Sequence, residues 1–97
     1  MTVEFHVTAS DELKAEILYY ESKQSGLGED FSNEVFAVLD ALCSFPETGS
    51  PVMNAIRAAS VRRFPFVIYY EVLSGEIFVW AVMHCSRNPT TWKNRLK

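Results

Sequence analysis

Residues 66–83 read Phe66-Val67-Ile68-Tyr69-Tyr70-Glu71-Val72-Leu73-Ser74-Gly75-Glu76-Ile77-Phe78-Val79-Trp80-Ala81-Val82-Met83, and they decide the fold. The first arm, 66–73, is rich in Val, Ile and Tyr, which suit a pleated strand. Ser74-Gly75 supplies a turn, and the second arm, 76–83, is apolar almost throughout. A continuous apolar run of this length, bounded by a turn, predicts a central strand of the sheet.

Working back from this hairpin, 57–64 is a further candidate strand, which would make an antiparallel meander of three. Residues 46–54 read as a loop punctuated by Gly49 and Pro51. Before that loop the period becomes helical. Phe31, Val35, Leu39 and Leu42 recur at spacings of four, four and three over 29–44, with Phe36 and Val38 broadening the apolar face. Leu13, Ile17 and Tyr20 mark an earlier helix ending near Lys23, with Leu18 widening its stripe. Thr8 or Ser10 would cap its start, with Asp11 and Glu12 suiting the positive end. Gly26 and Gly28 separate the two helices, so an antiparallel helical hairpin is expected. Val3, Phe5 and Val7 alternate with polar residues as a short strand over 2–7. The order β-α-α-β-β-β predicts one α+β domain over 1–97. Its helical hairpin would cover one face of an antiparallel sheet, with the first strand at an edge beside a later one.

The composition, 48% hydrophobic, 22% charged and 13% aromatic over 97 residues, is that of a folded domain and not of a disordered chain. No apolar run reaches the length of a membrane span, and the N-terminus has no basic region before an apolar one. A cytoplasmic protein is expected, with Cys43 and Cys85 as free thiols. Neither cysteine has metal-type spacing to His6 or His84. Gly26 and Gly28 lead into Glu29 and Asp30, which would repel a phosphate. No metal or other cofactor is expected.

The net charge of −3 conceals two unlike halves. Residues 1–50 carry ten acids against Lys14 and Lys23, whereas residues 51–97 carry seven bases against Glu71 and Glu76. Either the basic half faces an anion or an acidic partner, or the halves neutralise each other across the fold.

Within the basic half, Arg62 and Arg63 adjoin on the strand expected over 57–64, so one should face the helices and the other the open side of the sheet. The pattern leaves open which does which. Tyr69 and Tyr70 split in the same way. His84 closes the last strand and Arg87 follows it. An arginine, a tyrosine, His84 and Arg87 converging on one side would suit phosphate binding by guanidinium forks and proton transfer by imidazole or phenol. The same mixture of arginine and aromatic residues suits a protein-binding surface.

These residues also resemble a known family. Arg62-Arg63-Phe64-Pro65-Phe66-Val67-Ile68-Tyr69-Tyr70-Glu71-Val72 is similar to the "R-x-F-P-Y-x-I-x-Y" core of ParE-like toxins. Val79 to Pro89 is similar to their last strand, which ends "H-x-x-R-x-P", and Trp92 with Arg95 matches a "W-x-x-R" finish. Tyr19-Tyr20 and the "F-P-E-x-G-x-P" loop from Phe45 to Pro51 resemble the same family. The resemblance covers nearly the whole chain and points to the RelE/ParE superfamily, in its ParE-like, plasmid-stabilisation branch. It implies the toxin of a type II toxin–antitoxin system, held in a hetero-oligomer by a cognate antitoxin whose C-terminal segment wraps it as helix and extended chain. Arg62, Tyr70, Trp92 and Arg95 are the binding residues it suggests.

Two targets divide the superfamily, and the question of enzyme or binding protein divides with them. ParE-like members poison DNA gyrase. RelE-like members cut messenger RNA on the ribosome, a role that would fall here to Arg63, His84 and Arg87. The stretch Val52-Met53-Asn54-Ala55 lacks the lysines or glutamate of the RelE-like enzymes, and no tyrosine follows Pro89. A net charge of −3 also suits ribosomal phosphates poorly. The expectation is therefore gyrase, with the endoribonuclease as the alternative.

Overall fold

The computed structural model describes residues 1–88 and 91–96. Strand β1 (Thr2–Phe5) leads into helix α1 (Val7–Lys23), and helix α2 (Leu27–Ser44) returns beside it. Strands β2 (Ser50–Met53), β3 (Ile56–Ser60), β4 (Phe66–Leu73) and β5 (Glu76–His84) follow, and a 3-10 turn, Lys93–Leu96, comes last. The sheet order is β1-β5-β4-β3-β2. The α+β architecture and the helical hairpin agree with the sequence pattern.

The helices form where expected, with one change at the start. Neither Thr8 nor Ser10 caps α1. His6 does, its Nδ1 accepting from the Thr8 amide at 3.1 Å. Glu21 organises the hairpin link by accepting from the amides of Gly26 (2.9 Å) and Gly28 (3.0 Å). These are donors left over at the start of α2, where a carboxylate is also favoured by the helix dipole. Phe31, Val35, Leu39 and Leu42 of α2 are all buried against Ile68, Tyr70, Ile77 and Val79. Burying each such side chain is worth about 1.5–3 kcal/mol. Leu18 does not widen the buried stripe. It is 70% exposed, and Phe36 is partly exposed as well, with its ring edge against Phe5.

The sheet departs from the expected one in three ways. It is mixed, not wholly antiparallel, because β1 runs parallel to β5, with Thr2 beside Glu76 and Phe5 beside Val79. The expected edge position of β1 holds. Second, the stretch expected to be loop contains the edge strand β2, antiparallel to β3 with an irregularity between Pro51 and Met53. Pro51 is tolerated because an edge strand has amides with no neighbour to bond. Third, β3 ends at Ser60, so Arg62 and Arg63 are not strand residues. They lie in the bend joining β3 to β4, and Arg63 adopts a left-handed φ of 69°.

A bulge sets the faces of β5. Tyr69 lies opposite Ala81 and Tyr70 opposite Val79, which leaves Trp80 as the extra residue. Ile77, Val79 and Val82 therefore face the helices, whereas Ala81 and Met83 face the other side. The parity beyond the bulge is reversed, and His84 lands on the helix side, its ring 5.4 Å from that of Phe66.

The face expected to be open is partly covered. Trp92 from the tail is fully buried there, its ring 4.9 Å from that of Tyr69. Ile56, Ala81 and Met83 complete this second, smaller core.

Burial raises the pKa of Tyr20, Tyr69 and Tyr70 above 10.0, and at Tyr20 the nearby Glu16 and Tyr19 add to it. A folded pKa above the unfolded one means that the stabilisation is complete below about pH 10 and is lost as pH rises through the folded values. Alkaline titration followed by circular dichroism and phenolate absorbance should therefore show unfolding above pH 10, with ionisation of the buried phenols accompanying it. Full phenolate absorbance with an unchanged dichroism spectrum would contradict this packing.

Candidate functional site

The loop that carries Arg62 and Arg63 meets the turn after β5 at one end of the sheet. The Cys85 amide donates to the Pro65 carbonyl at 2.8 Å, so residues 61–65 and 84–87 are neighbours. Phe64 from this loop packs its ring edge on Tyr20 of α1 and Phe31 of α2. The end of the sheet therefore brings together both arginines, His84, Arg87 and the C-terminal half of α1.

The side chains do not all point to one place. Arg63 reaches α2, where its guanidinium lies 3.3 Å from Glu34 and 3.9 Å from Asp30. Arg62 is exposed near the groove between α2 and β3, lined by Val38, Leu42, Ala59 and Ser60. Arg87 is exposed in the turn after β5, where its amide donates to the His84 carbonyl at 2.9 Å. Arg62 and Arg87 form no ion pair among the described residues. His84 Nδ1 accepts from the Ser86 amide at 3.0 Å and lies 2.8 Å from the Ser86 hydroxyl. Because an amide can only donate, Nδ1 carries a lone pair and the proton sits on Nε2. The ring opens onto a cleft lined by Glu16, Tyr19, Tyr20 and Phe66. The side chains of Arg63, His84 and Arg87 share no hydrogen bond, ion pair or ring contact with one another among the described residues.

The other suggested binding residues hold the fold together. Tyr70 is buried on the helix side, and its hydroxyl donates to the Pro46 carbonyl at 2.7 Å and accepts from the Gly49 amide at 3.1 Å. Arg57 fastens the same loop by donating to the carbonyls of Glu47 and Gly49. Trp92 is inside the second core. Arg95 makes a two-pronged ion pair with Glu12, at 3.0 and 2.7 Å, and also donates to the Trp80 carbonyl at 2.9 Å. Glu12 accepts from the Val82 amide as well. Strand β1 stops beside Val79, so this pair satisfies the β5 edge beyond it. Removing either partner would strand a charge that is less than a quarter exposed. Arg95→Ala should cost about 2–3 kcal/mol, because a hydrogen bond to a charged group is worth about 1.5–3 kcal/mol. A double-mutant cycle with Glu12→Gln checks it; coupling below about 0.5 kcal/mol would contradict the pairing. Pro89, the end of the "H-x-x-R-x-P" match, lies outside the described residues, as does Lys97.

Every ion pair among the described residues joins a base of the second half to an acid of the first: Arg57 to Glu47, Arg63 to Asp30 and Glu34, Arg95 to Glu12. The two halves thus neutralise each other in part. No group of three potential metal ligands occurs among the described residues, and no helix there is long and apolar enough to cross a membrane.

A two-helix hairpin on a five-stranded mixed sheet, closed by a C-terminal tail, defines the class of RelE/ParE-like α+β domains. A solved structure described as the chromosomal ParDE TA system from P. aeruginosa shares this fold at a TM-score of 0.71 and 18% identity, covering 87% of this chain and 95% of that one. The family model described as the ParE toxin of type II toxin–antitoxin system, parDE, matches residues 3–89. The chain belongs to the ParE toxin family. A comparison with curated proteins gives no match.

Proposed function

We propose that this toxin arrests growth by binding DNA gyrase, as a protein ligand and not as a nuclease, and that a cognate antitoxin neutralises it. The observation that carries this reading is the division of the cationic residues. The Arg63 guanidinium lies against Asp30 and Glu34, while His84 opens onto a cleft whose charged wall is Glu16. Gripping RNA calls for cations concentrated on one surface, and here the carboxylates stand among them. Several exposed apolar side chains, Val7, Leu18, Phe36 and Phe45, offer an amphipathic antitoxin segment something to cover.

One feature favours the endoribonuclease as a second reading: Arg62, Arg63, His84 and Arg87 occupy the same end of the sheet. Both readings meet in a paired assay. Purified toxin should inhibit gyrase supercoiling and its antitoxin should restore it, while translated mRNA stays intact. Gyrase unaffected at high molar excess removes that target. Ribosome-dependent cleavage abolished by His84→Ala and Arg87→Ala would establish the nuclease instead.

A further inference from the structure

We propose that the cleft between α1 and the end of β5 receives an arginine side chain of a partner polypeptide. Glu16, Tyr19, Tyr20, Phe66 and His84 line it. Its aromatic walls come from α1, which supplies Tyr19 and Tyr20, and from β4, which supplies Phe66. Tyr20 is fixed by ring contacts to Phe31, Phe64 and Phe66, so that wall is rigid. Tyr19 packs edge-on against Tyr20, at a centroid separation of 5.5 Å. On its exposed side Tyr19 already has a cation over it, the Lys23 ammonium at 5.1 Å from the ring centroid.

The charge in the cleft is negative. Glu16 is half-buried and has no hydrogen bond or ion pair among the described residues. It faces the Tyr20 phenol closely enough to help hold that group in its neutral form. His84 Nδ1 is occupied by the Ser86 amide, and Arg87 does not line the cleft. One free carboxylate beside aromatic faces repels a phosphate and attracts a cation. A guanidinium fits better than an ammonium. Its plane stacks on a ring while its fork donates to both carboxylate oxygens, and the phenol oxygens can accept the remaining N–H groups. The inference does not depend on gyrase being the target.

The test uses Nα-acetyl-argininamide as the probe and its neutral isostere, Nα-acetyl-citrullinamide, as the control. Each is titrated into isotope-labelled full-length protein while the ring signals of Tyr20 and His84 are followed by NMR. The arginine compound should give saturable shifts in the millimolar range, as expected for a single side chain without the rest of its partner. The citrulline compound should give none. Glu16→Gln preserves helix propensity and should weaken binding about tenfold. Equal shifts from both compounds, no saturable shift, or unchanged affinity in folded Glu16→Gln would each overturn the proposal. So would inorganic phosphate moving the same signals.

Discussion

Leu39→Ala is expected to lower the free energy of unfolding by about 2–5 kcal/mol. Leu39 is 1% exposed and sits in mid-helix, with Val35 and Leu42 on the same buried stripe. It belongs to the core formed with Ile68, Tyr70, Ile77 and Val79, to which α2 and the two central strands contribute. The truncation loses the transfer free energy of three carbons and leaves a void. The void cannot collapse easily, because the facing residues are fixed in a hydrogen-bonded sheet. Urea denaturation followed by far-ultraviolet dichroism measures it. A change below about 1 kcal/mol would mean that this face of α2 is not packed as described.

Gly49→Ala should cost about 2–4 kcal/mol, which is unusually large for a residue in a connecting loop. A β-carbon on Gly49 would collide with the Tyr70 hydroxyl, and would also lie 2.8 Å from Tyr70 Cε1 and 3.0 Å from the Ala58 carbonyl. Tyr70 cannot retreat, because it is fully buried and tied to the Pro46 carbonyl. The substitution therefore combines overpacking with the loss of a buried hydrogen bond. Thermal denaturation of Gly49→Ala beside Tyr70→Phe separates the two terms. Tyr70→Phe loses only the hydrogen bonds and should cost about 1–3 kcal/mol. If Gly49→Ala proved no worse than Tyr70→Phe, close packing would not be the reason for glycine there.

The same contact explains why the family signature revealed the fold more readily than the site. In "F-P-E-x-G-x-P" the proline carbonyl and the glycine are the partners of the tyrosine that closes "R-x-F-P-Y-x-I-x-Y". In "W-x-x-R" the tryptophan fills the second core and the arginine holds Glu12. A motif records that residues are needed together. It does not say whether packing or a partner needs them.

The rest divides along similar lines. Helical periodicity was legible because each helix exposes one side and buries the other, and Ser74-Gly75 marked the hairpin. Strand β2 was hidden because Pro51 reads as a breaker, although an edge accepts it. The bend at Arg62 and Arg63 was hidden because Val61 and Phe64 look like continued strand. The facing of His84 could not be read at all. In a strand apolar on both sides the pattern has no parity, so the extra residue at Trp80 leaves no trace in composition. Nor does any local pattern reveal Arg63 beside Glu34 or Arg95 beside Glu12, since these pairs form only once the chain has returned on itself.

The parallel pairing of β1 with β5 also sets the order in which the protein can assemble. Thr2 and its neighbour Glu76 lie 74 positions apart. On the ribosome β1 and both helices emerge long before the strand they must cover, and they stay without a sheet until most of the chain has been made. The hairpin of β4 and β5 is local and can form early, whereas the first strand docks only on a nearly complete chain. Long-range pairing of this kind slows folding, because the entropy of closing so large a loop is lost before the contact is gained. Refolding should therefore be slower than in an all-helical domain of this size, with β1 among the last segments to gain hydrogen-exchange protection.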